Sequence, residues 1–348
     1  MKQCERVLSF ITPLLKLWKN MIEFCKAPEL IHIEVTSKCN MKCPQCYNSN
    51  SGKDIDFIVL FQAIKEASNL GVKYIALSGG EPLLYPKLLS AVKTIRFYGM
   101  TSFIATGGLG LTVEMINYLV ESGLGCLFLS LNGSTKKIHE ISRGNYNAAI
   151  RALMLLKDAG FRYEINWVAR NDNIDDFDDL VKMCMHHKAK AINVLILKPD
   201  IHNKINNSLN KDQFFALANK IKNLKNSGYN INVEFCFAQL RYHLLRNNED
   251  SIGGCPAGIY LMAINVNGEK LPCRHLRHMA SNTKDLLSYW EDSNILKRLR
   301  SLDESIKEPC CNCFRFKKCR PCRAIADKVY GSLESGDLGC PLFDITCN

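Results

Sequence analysis

The sequence predicts an α/β protein, a partial (β/α)6 barrel followed by a small cysteine-rich domain. Three observations predict it. Between Ile31 and Leu197 short apolar runs alternate with amphipathic stretches of helical period, the pattern of a parallel sheet with crossover helices. No GxGxxG follows the first apolar run, which favours an incomplete barrel over a nucleotide-binding open sheet. After Asn247 the composition turns to Gly, Pro and Cys, and ten of the seventeen cysteines lie at or beyond Cys236. The expected divisions are an amphipathic helical segment (1–30), the barrel (31–210), a bridging helix and strand (211–250) and the cysteine-rich domain (251–348).

Each element has its own signal. Thr12 before Pro13 reads as an N-cap with proline at the first helical position. Leu15, Trp18 and Ile22 then share a helical face. Strands are expected at 31–36, 74–78, 102–106, 126–131, 163–168 and 192–197, each a short run rich in Ile, Val, Leu or Phe. Helices are expected near 57–69, 87–98, 113–122, 146–159 and 177–187. The polar, Asn-rich stretch 198–211 leaves the barrel, followed by a helix (213–225) and a strand (231–237). Asn267-Gly268, between YLMAINV and EKLPC, reads as a tight hairpin turn.

Composition excludes several classes. No apolar run approaches the roughly 18 residues of a membrane span. The basic, partly apolar N-terminus is interrupted by Glu5 and Lys16 and followed by no small-residue cleavage site, against a signal peptide. An odd cysteine count without an export signal argues for metal ligation in a reducing compartment, hence a cytoplasmic location, rather than a disulfide framework. The formal charge of +11 raises nucleic-acid binding, but the lysines form no long basic run with interleaved aromatics. Three iron–sulfur clusters with their thiolates would lower it to roughly +6.

The chemistry concentrates in three motifs. Cys39, Cys43 and Cys46 form C-x3-C-x2-C directly after the first strand, with Tyr47 next. Three thiolates on one loop can hold three corners of a [4Fe–4S] cube and leave the fourth iron open to a ligand that is not protein. A zinc site or reduced structural thiols are the plain alternatives, although zinc knuckles pair C-x2-C units. Gly79-Gly80-Glu81-Pro82 ends the second strand, where two glycines permit close backbone approach and proline forces a turn. Ser130 and Asn132 end the fourth strand in LSLNG, Thr106 ends the third, and Arg143-Gly144 follows. All lie at carboxyl ends of strands, where a barrel places its active site.

These motifs resemble those of the radical S-adenosylmethionine (SAM) enzymes. The resemblance implies a TIM-like partial barrel in which SAM chelates the open iron and is split reductively to a 5′-deoxyadenosyl radical. It implies that Gly79, Gly80, Glu81 and Pro82 meet the SAM amino group. Ser130 and Asn132 (aspartate in many relatives) would meet its ribose or carboxylate, and Arg143 its carboxylate. A permanently charged, bidentate guanidinium suits that role; a surface loop arginine is the plain alternative.

The C-terminal cysteines fall as Cys255, Gly268 and Cys273 in C-x12-G-x4-C, then Cys310, Cys313, Cys319 and Cys322 in C-x2-C-x5-C-x2-C, then Cys340. This resembles the SPASM extension of radical SAM enzymes, although the final x2 replaces the longer form's x3. The resemblance implies two auxiliary [4Fe–4S] clusters, making three in all. Cys255, Cys273 and Cys322 would bind the first, and Cys310, Cys313, Cys319 and Cys340 the second. The fourth ligand of the first cluster stays open: either Cys236 reaches in or the corner faces substrate. Cys4, Cys25, Cys126, Cys184, Cys311 and Cys347 read as core or free thiols.

The expected function is hydrogen abstraction from a substrate by a SAM-derived radical. A ribosomally made peptide, crosslinked through a thioether or carbon–carbon bond, is the leading substrate, and small-molecule dehydrogenation the alternative. A zinc-bearing nucleic-acid-binding protein is the alternative outside enzymes. Arg274 stands where the sulfatase-maturing branch has a catalytic aspartate, which disfavours formylglycine formation. His275 and His278 read as histidines either at the surface or supporting a neighbouring ligand, able to titrate near neutrality. The stretch before Ile31 leaves no room for a winged-helix leader-binding domain, so a separate leader-binding protein is an expected partner. So is an external reductase, a flavodoxin or ferredoxin.

Overall fold

The computed structural model describes residues 25–48, 51–198, 207–245 and 253–343. The helix expected from Thr12, and Cys4 and Cys347, lie outside them. The barrel strands are β1 (Leu30–Thr36), β2 (Tyr74–Gly79), β3 (Thr101–Thr106), β4 (Cys126–Ser130), β5 (Tyr163–Ala169) and β6 (Ile192–Ile196), within a residue or so of expectation. They pair in sequence order and in parallel. Between them run α1 (Phe57–Asn69), α2 (Leu88–Phe97), α3 (Val113–Ser122), the single turn α4 (Lys136–His139), α5 (Tyr146–Asp158) and α6 (Phe177–His186).

Local chemistry sets these boundaries. Asp56 starts α1 by accepting hydrogen bonds from the Ile58 and Val59 N–H groups at 2.7 and 3.2 Å. The helix buries Leu60, Ala63, Ile64 and Ala67, one face at spacings of three and one. Thr112 caps α3, and Gly123 ends it in the left-handed region at φ 87°. Along β1 the faces divide cleanly: Ile31, Ile33 and Val35 are fully buried, while Leu30 and His32 line an interior cavity. Each of those aliphatic side chains contributes about 1.5–3 kcal/mol by burial.

Two strands extend this sheet beyond the six repeats. After α7 (Lys211–Asn226), opened by a capping box of Asn210 and Gln213, β7 (Ile231–Val233) pairs parallel with β6. Helix α8 (Ala238–Leu245) follows. From the cysteine-rich region, β8 (Leu261–Ile264) pairs parallel with β1 at the opposite edge, and β9 (Lys270–Leu271) returns antiparallel to β8. Gly268, at φ 81°, makes the expected turn between them. The result is one nine-stranded sheet in the order β7-β6-β5-β4-β3-β2-β1-β8-β9. Helices α9 (Leu286–Asp292), α10 (Asn294–Arg300), α11 (Leu302–Ser305), α12 (Phe316–Cys319) and α13 (Arg323–Tyr330) complete the chain.

The sheet is curved rather than flat. One cavity of about 250 Å³ is lined by side chains from β1 to β6, by Glu234, Phe235 and Cys236 after β7, and by Cys255 and Leu261 at the other edge. A single space touching both edges requires the sheet to wrap as a partial barrel, with the cysteine-rich segment closing its open side. Among the described residues, no helix is long and apolar enough to cross a membrane.

Candidate active site

The cysteine loop springs from the carboxyl end of β1 and is fastened to β2 by backbone. Gly80 N–H donates to Thr36 O at 2.7 Å, and Glu81 N–H to Lys38 O at 2.9 Å. A Cβ on Gly79 would stand 2.1 Å from Thr36 O, and one on Gly80 2.0 Å from Lys38 O. The two glycines therefore serve the close approach of the chain to its own cysteine loop. Gly79 also needs its φ of 121°.

Glu81 is almost fully buried and ties three segments together. It accepts from Thr106 Oγ1 at 2.7 Å, from Gly107 N–H at 2.9 Å and from Leu83 N–H at 3.2 Å. Burial raises its pKa, and those hydrogen bonds oppose the rise. Thr106 is thus engaged with Glu81. Pro82 opens the single 3-10 turn Pro82–Leu84.

Asn132 joins the loop to the sheet. Its Nδ2 donates to Gln45 Oε1 at 2.9 Å and Ser142 Oγ at 2.8 Å, and its Oδ1 accepts from Val168 N–H at 3.1 Å. His139 on α4 accepts the Asn132 N–H at Nδ1, 3.2 Å away. Ser130 is buried two residues after Phe128, on the strand face that lines the cavity.

The loop's sulfurs receive backbone donors. Gly144 N–H reaches Cys43 Sγ and Asn48 N–H reaches Cys46 Sγ, both at 3.4 Å. Arg143, beside Gly144, has a buried Nε with no hydrogen-bond partner among the described residues. Three thiols on one loop, two of them fed by these N–H donors, with an unsatisfied guanidinium nitrogen near them, fit an anionic cluster and a carboxylate-bearing cofactor.

The later cysteines form two further groups. Cys255, Cys273 and Cys322 all line the barrel cavity, and so does Cys236. Cys310, Cys313, Cys319 and Cys340 line a second space of about 30 Å³, with Asp337 and Gln239 at its wall. Asp337 N–H donates to Cys310 Sγ at 3.3 Å, and the turn from Asp337 O to Cys340 N–H (3.1 Å) brings Cys340 back. Cys311 is exposed, as its adjacency to Cys310 implies. Among the described residues no group of His, Cys, Asp or Glu forms the shell of a single ion. A four-iron cube spreads its thiolates more widely than one zinc does.

One sequence expectation is corrected. His275 is not a surface histidine: it lines the cavity and packs against Tyr47, with ring centroids 4.6 Å apart. Burial, then the charges of Lys198 and Arg274, hold its pKa well below neutrality, so it stays uncharged where a surface imidazole would titrate. Arg274 lies over the same Tyr47 ring, 5.8 Å from its centroid. Through these contacts Tyr47, one residue after Cys46, joins the first cysteine loop to the segment after Cys273. His278 is largely exposed, 3.3 Å from Asp327. Gln45 and His139 were missed because no spacing marks a side chain that works by fixing a neighbour. The tyrosine beside Cys46 was the one available signal for Tyr47.

Comparison with known proteins places this geometry. Residues 33–184 match the model of the radical SAM superfamily. An AdoMet-dependent heme synthase of Methanosarcina barkeri is 25% identical over 335 residues, covering 89% of this chain and 95% of that protein. The crystal structure of Streptococcus suis SuiB bound to its precursor peptide SuiA superimposes with a TM-score of 0.75 at 21% identity, over 95% of this chain and 79% of that one. Native anSMEcpe with bound AdoMet and the Cp18Cys peptide gives 0.67 at 18% identity, over 89% and 91%. At those identities the two structures share the fold with this chain.

Proposed function

This chain belongs to the radical SAM superfamily, and on that premise we propose that it modifies a ribosomally made peptide through hydrogen abstraction inside the barrel cavity. The observation that carries the site is the pairing of N–H donors on Cys43 and Cys46 with an Arg143 Nε that has no partner among the described residues. Cys39, Cys43 and Cys46 would hold the SAM-binding [4Fe–4S] cluster. Cys255, Cys273 and Cys322 would hold one auxiliary cluster, and Cys310, Cys313, Cys319 and Cys340 the other. With SAM bound there and an electron supplied, that site would furnish the hydrogen-abstracting chemistry that acts on an unactivated carbon.

The protein's part is to bind, orient and exclude water. Arg143 offers its charge to the SAM carboxylate. Gly79 and Gly80 hold the loop against β2, Glu81 and Pro82 shape the turn below it, and Asn132 fixes Gln45 on the loop. Ser130 presents its hydroxyl on the cavity face. Phe103, Phe128, Phe235 and Tyr260 make much of the cavity wall apolar, a surface that sheds water from a reactive centre. An external flavodoxin or ferredoxin would deliver electrons, and a separate protein could present the leader of a peptide substrate.

SuiB with its precursor peptide and anSMEcpe with a Cys-containing peptide support the peptide reading. Thioether or carbon–carbon crosslinking is the expected outcome. The heme synthase relative, matched over nearly its whole length, favours a second reading in which a small molecule is oxidised. Replacing Cys39, Cys43 and Cys46 by alanine tests the core: 5′-deoxyadenosine formation under dithionite should stop while about eight irons remain. Continued formation would sink the assignment. Turnover with a short peptide encoded beside the gene, read as loss of two hydrogens by mass spectrometry, separates the peptide reading from the small-molecule one.

A further inference from the structure

We propose that Cys236 is the fourth thiolate of the first auxiliary cluster, completing Cys255, Cys273 and Cys322, so that this cluster offers no open iron to a substrate atom. The proposal rests on the reading of the cysteine groups given above. Sequence spacing leaves its role open, because Cys236 stands alone, upstream of Cys255 and in no C-x2-C pair. Topology brings it in. Cys236 follows β7 at one edge of the sheet, Cys255 precedes β8, next to the last strand at the other end, and Cys322 is the residue before α13. The four thiols line the same cavity.

The backbone fixes these positions independently. Phe237 N–H donates to Glu234 O at 3.0 Å, closing the turn that carries Cys236. Cys255 N–H donates to Arg320 O at 2.8 Å, two residues before Cys322. A Cβ on Gly254 would lie 1.9 Å from Cys319 O, so the two segments pass at backbone contact. Four soft thiolates from four separate segments form a donor set suited to iron–sulfur chemistry.

The charge around the group agrees. Lys198 is nearly buried, pairs with Glu234 at 2.7 Å, and acts electrostatically on Cys236 and Cys322. Its ammonium compensates the added negative charge of a fourth thiolate. With all four corners closed, the substrate must be held by cavity side chains, among them Arg274 and Asn166, rather than by direct iron coordination.

The test uses the full chain with Cys39, Cys43 and Cys46 replaced by alanine, which leaves only the auxiliary sites. Anaerobically reconstituted, this parent should hold about eight irons. Its reduced EPR spectrum should ignore added cyanide or 2-mercaptoethanol. Adding Cys236→Ala should make the spectrum respond to both probes and yield a three-iron signal on mild oxidation. Cys236→Ser should keep an oxygen-ligated cluster with an altered spectrum, which covers a failure of the alanine variant to fold. Cys184→Ala, a buried thiol on α6, should change nothing. A parent that already responds to the probes overturns the proposal, and so does a Cys236→Ala protein indistinguishable from its parent. A parent holding only about four irons overturns the two-cluster reading itself, and the proposal with it.

Discussion

Arg143 carries a buried nitrogen that meets no acceptor among the described residues, and such a group costs stability unless a ligand completes it. Removing it with Arg143→Ala should therefore weaken SAM binding by about 1.5–3 kcal/mol, the value of a charge-assisted hydrogen bond. Arg143→Lys should recover only part, because an ammonium cannot reproduce the planar fork. Isothermal titration with SAM checks both, and an unchanged affinity in the alanine variant would return Arg143 to a loop-surface role. Gly80 acts at the same scale by having no side chain. A Cβ there meets Lys38 O at 2.0 Å and Lys38 C at 2.7 Å, atoms that cannot move without dragging the cysteine loop. Gly80→Ala should cost about 1–3 kcal/mol as overpacking. It should also strip up to about four irons, those of the first loop. Full iron content and an unshifted melting temperature would contradict this account of the Gly-Gly pair.

At the scale of elements, the six barrel strands were legible because each is a short β-branched or aliphatic run bounded by turn residues. Their parallel order followed from the helices between them. The pairing of β8 with β1 was not legible: LMAI reads equally well as half of a hairpin, and only the packed structure shows which neighbour its free edge meets. The same limit left the role of Cys236 open, because the thiols it would join lie on other segments. The cysteine triad and GGEP were legible because their chemistry needs local spacing. Gln45 and His139 were not, because they act through contacts distant in sequence. The single turn α4 shows the consequence. His139 accepts the Asn132 N–H and must stay neutral to do so. Burial, then the charge of Arg143, depresses its pKa to about 4. The unfolded imidazole, near 6.5, binds a proton that the native state refuses. This contribution is therefore complete above about pH 6.5 and lost as pH falls toward 4. Between pH 6.5 and 5 it should remove about 1.5 kcal/mol of stability. Urea unfolding at the two pH values checks this, and His139→Gln should flatten the dependence. An equal slope in the variant would assign the acid sensitivity elsewhere.

The molecule as a whole is a barrel whose open side is closed by a segment that would hold two clusters, and the far end of that closure depends on Cys340. Seventeen residues separate Cys340 from Cys322, so local spacing gives no reason to count it a ligand. The structure returns it through a turn. Asp337 donates its N–H to Cys310 Sγ and accepts the Cys340 N–H at its carbonyl, so one residue holds both ends of the group. Gln239 on α8 in turn donates to the Asp337 carboxylate, which joins this group to the helix after β7. Burial raises the Asp337 pKa, and the Gln239 donor partly offsets the cost of the charge. Cys340→Ala should lower iron by up to about four per chain or leave a labile three-iron cluster. Reductive SAM cleavage should persist, because backbone hydrogen bonds to the β2 end, which do not involve the Cys340 group, fasten the first loop. Product formation should fall if the second auxiliary cluster carries electrons. Cys311→Ala, at an exposed thiol of the same segment, is the control and should do neither. A Cys340→Ala protein with full iron and normal turnover would mean that the four thiols meet in this space without binding a cluster. The closure of the barrel would then rest on packing and hydrogen bonds alone.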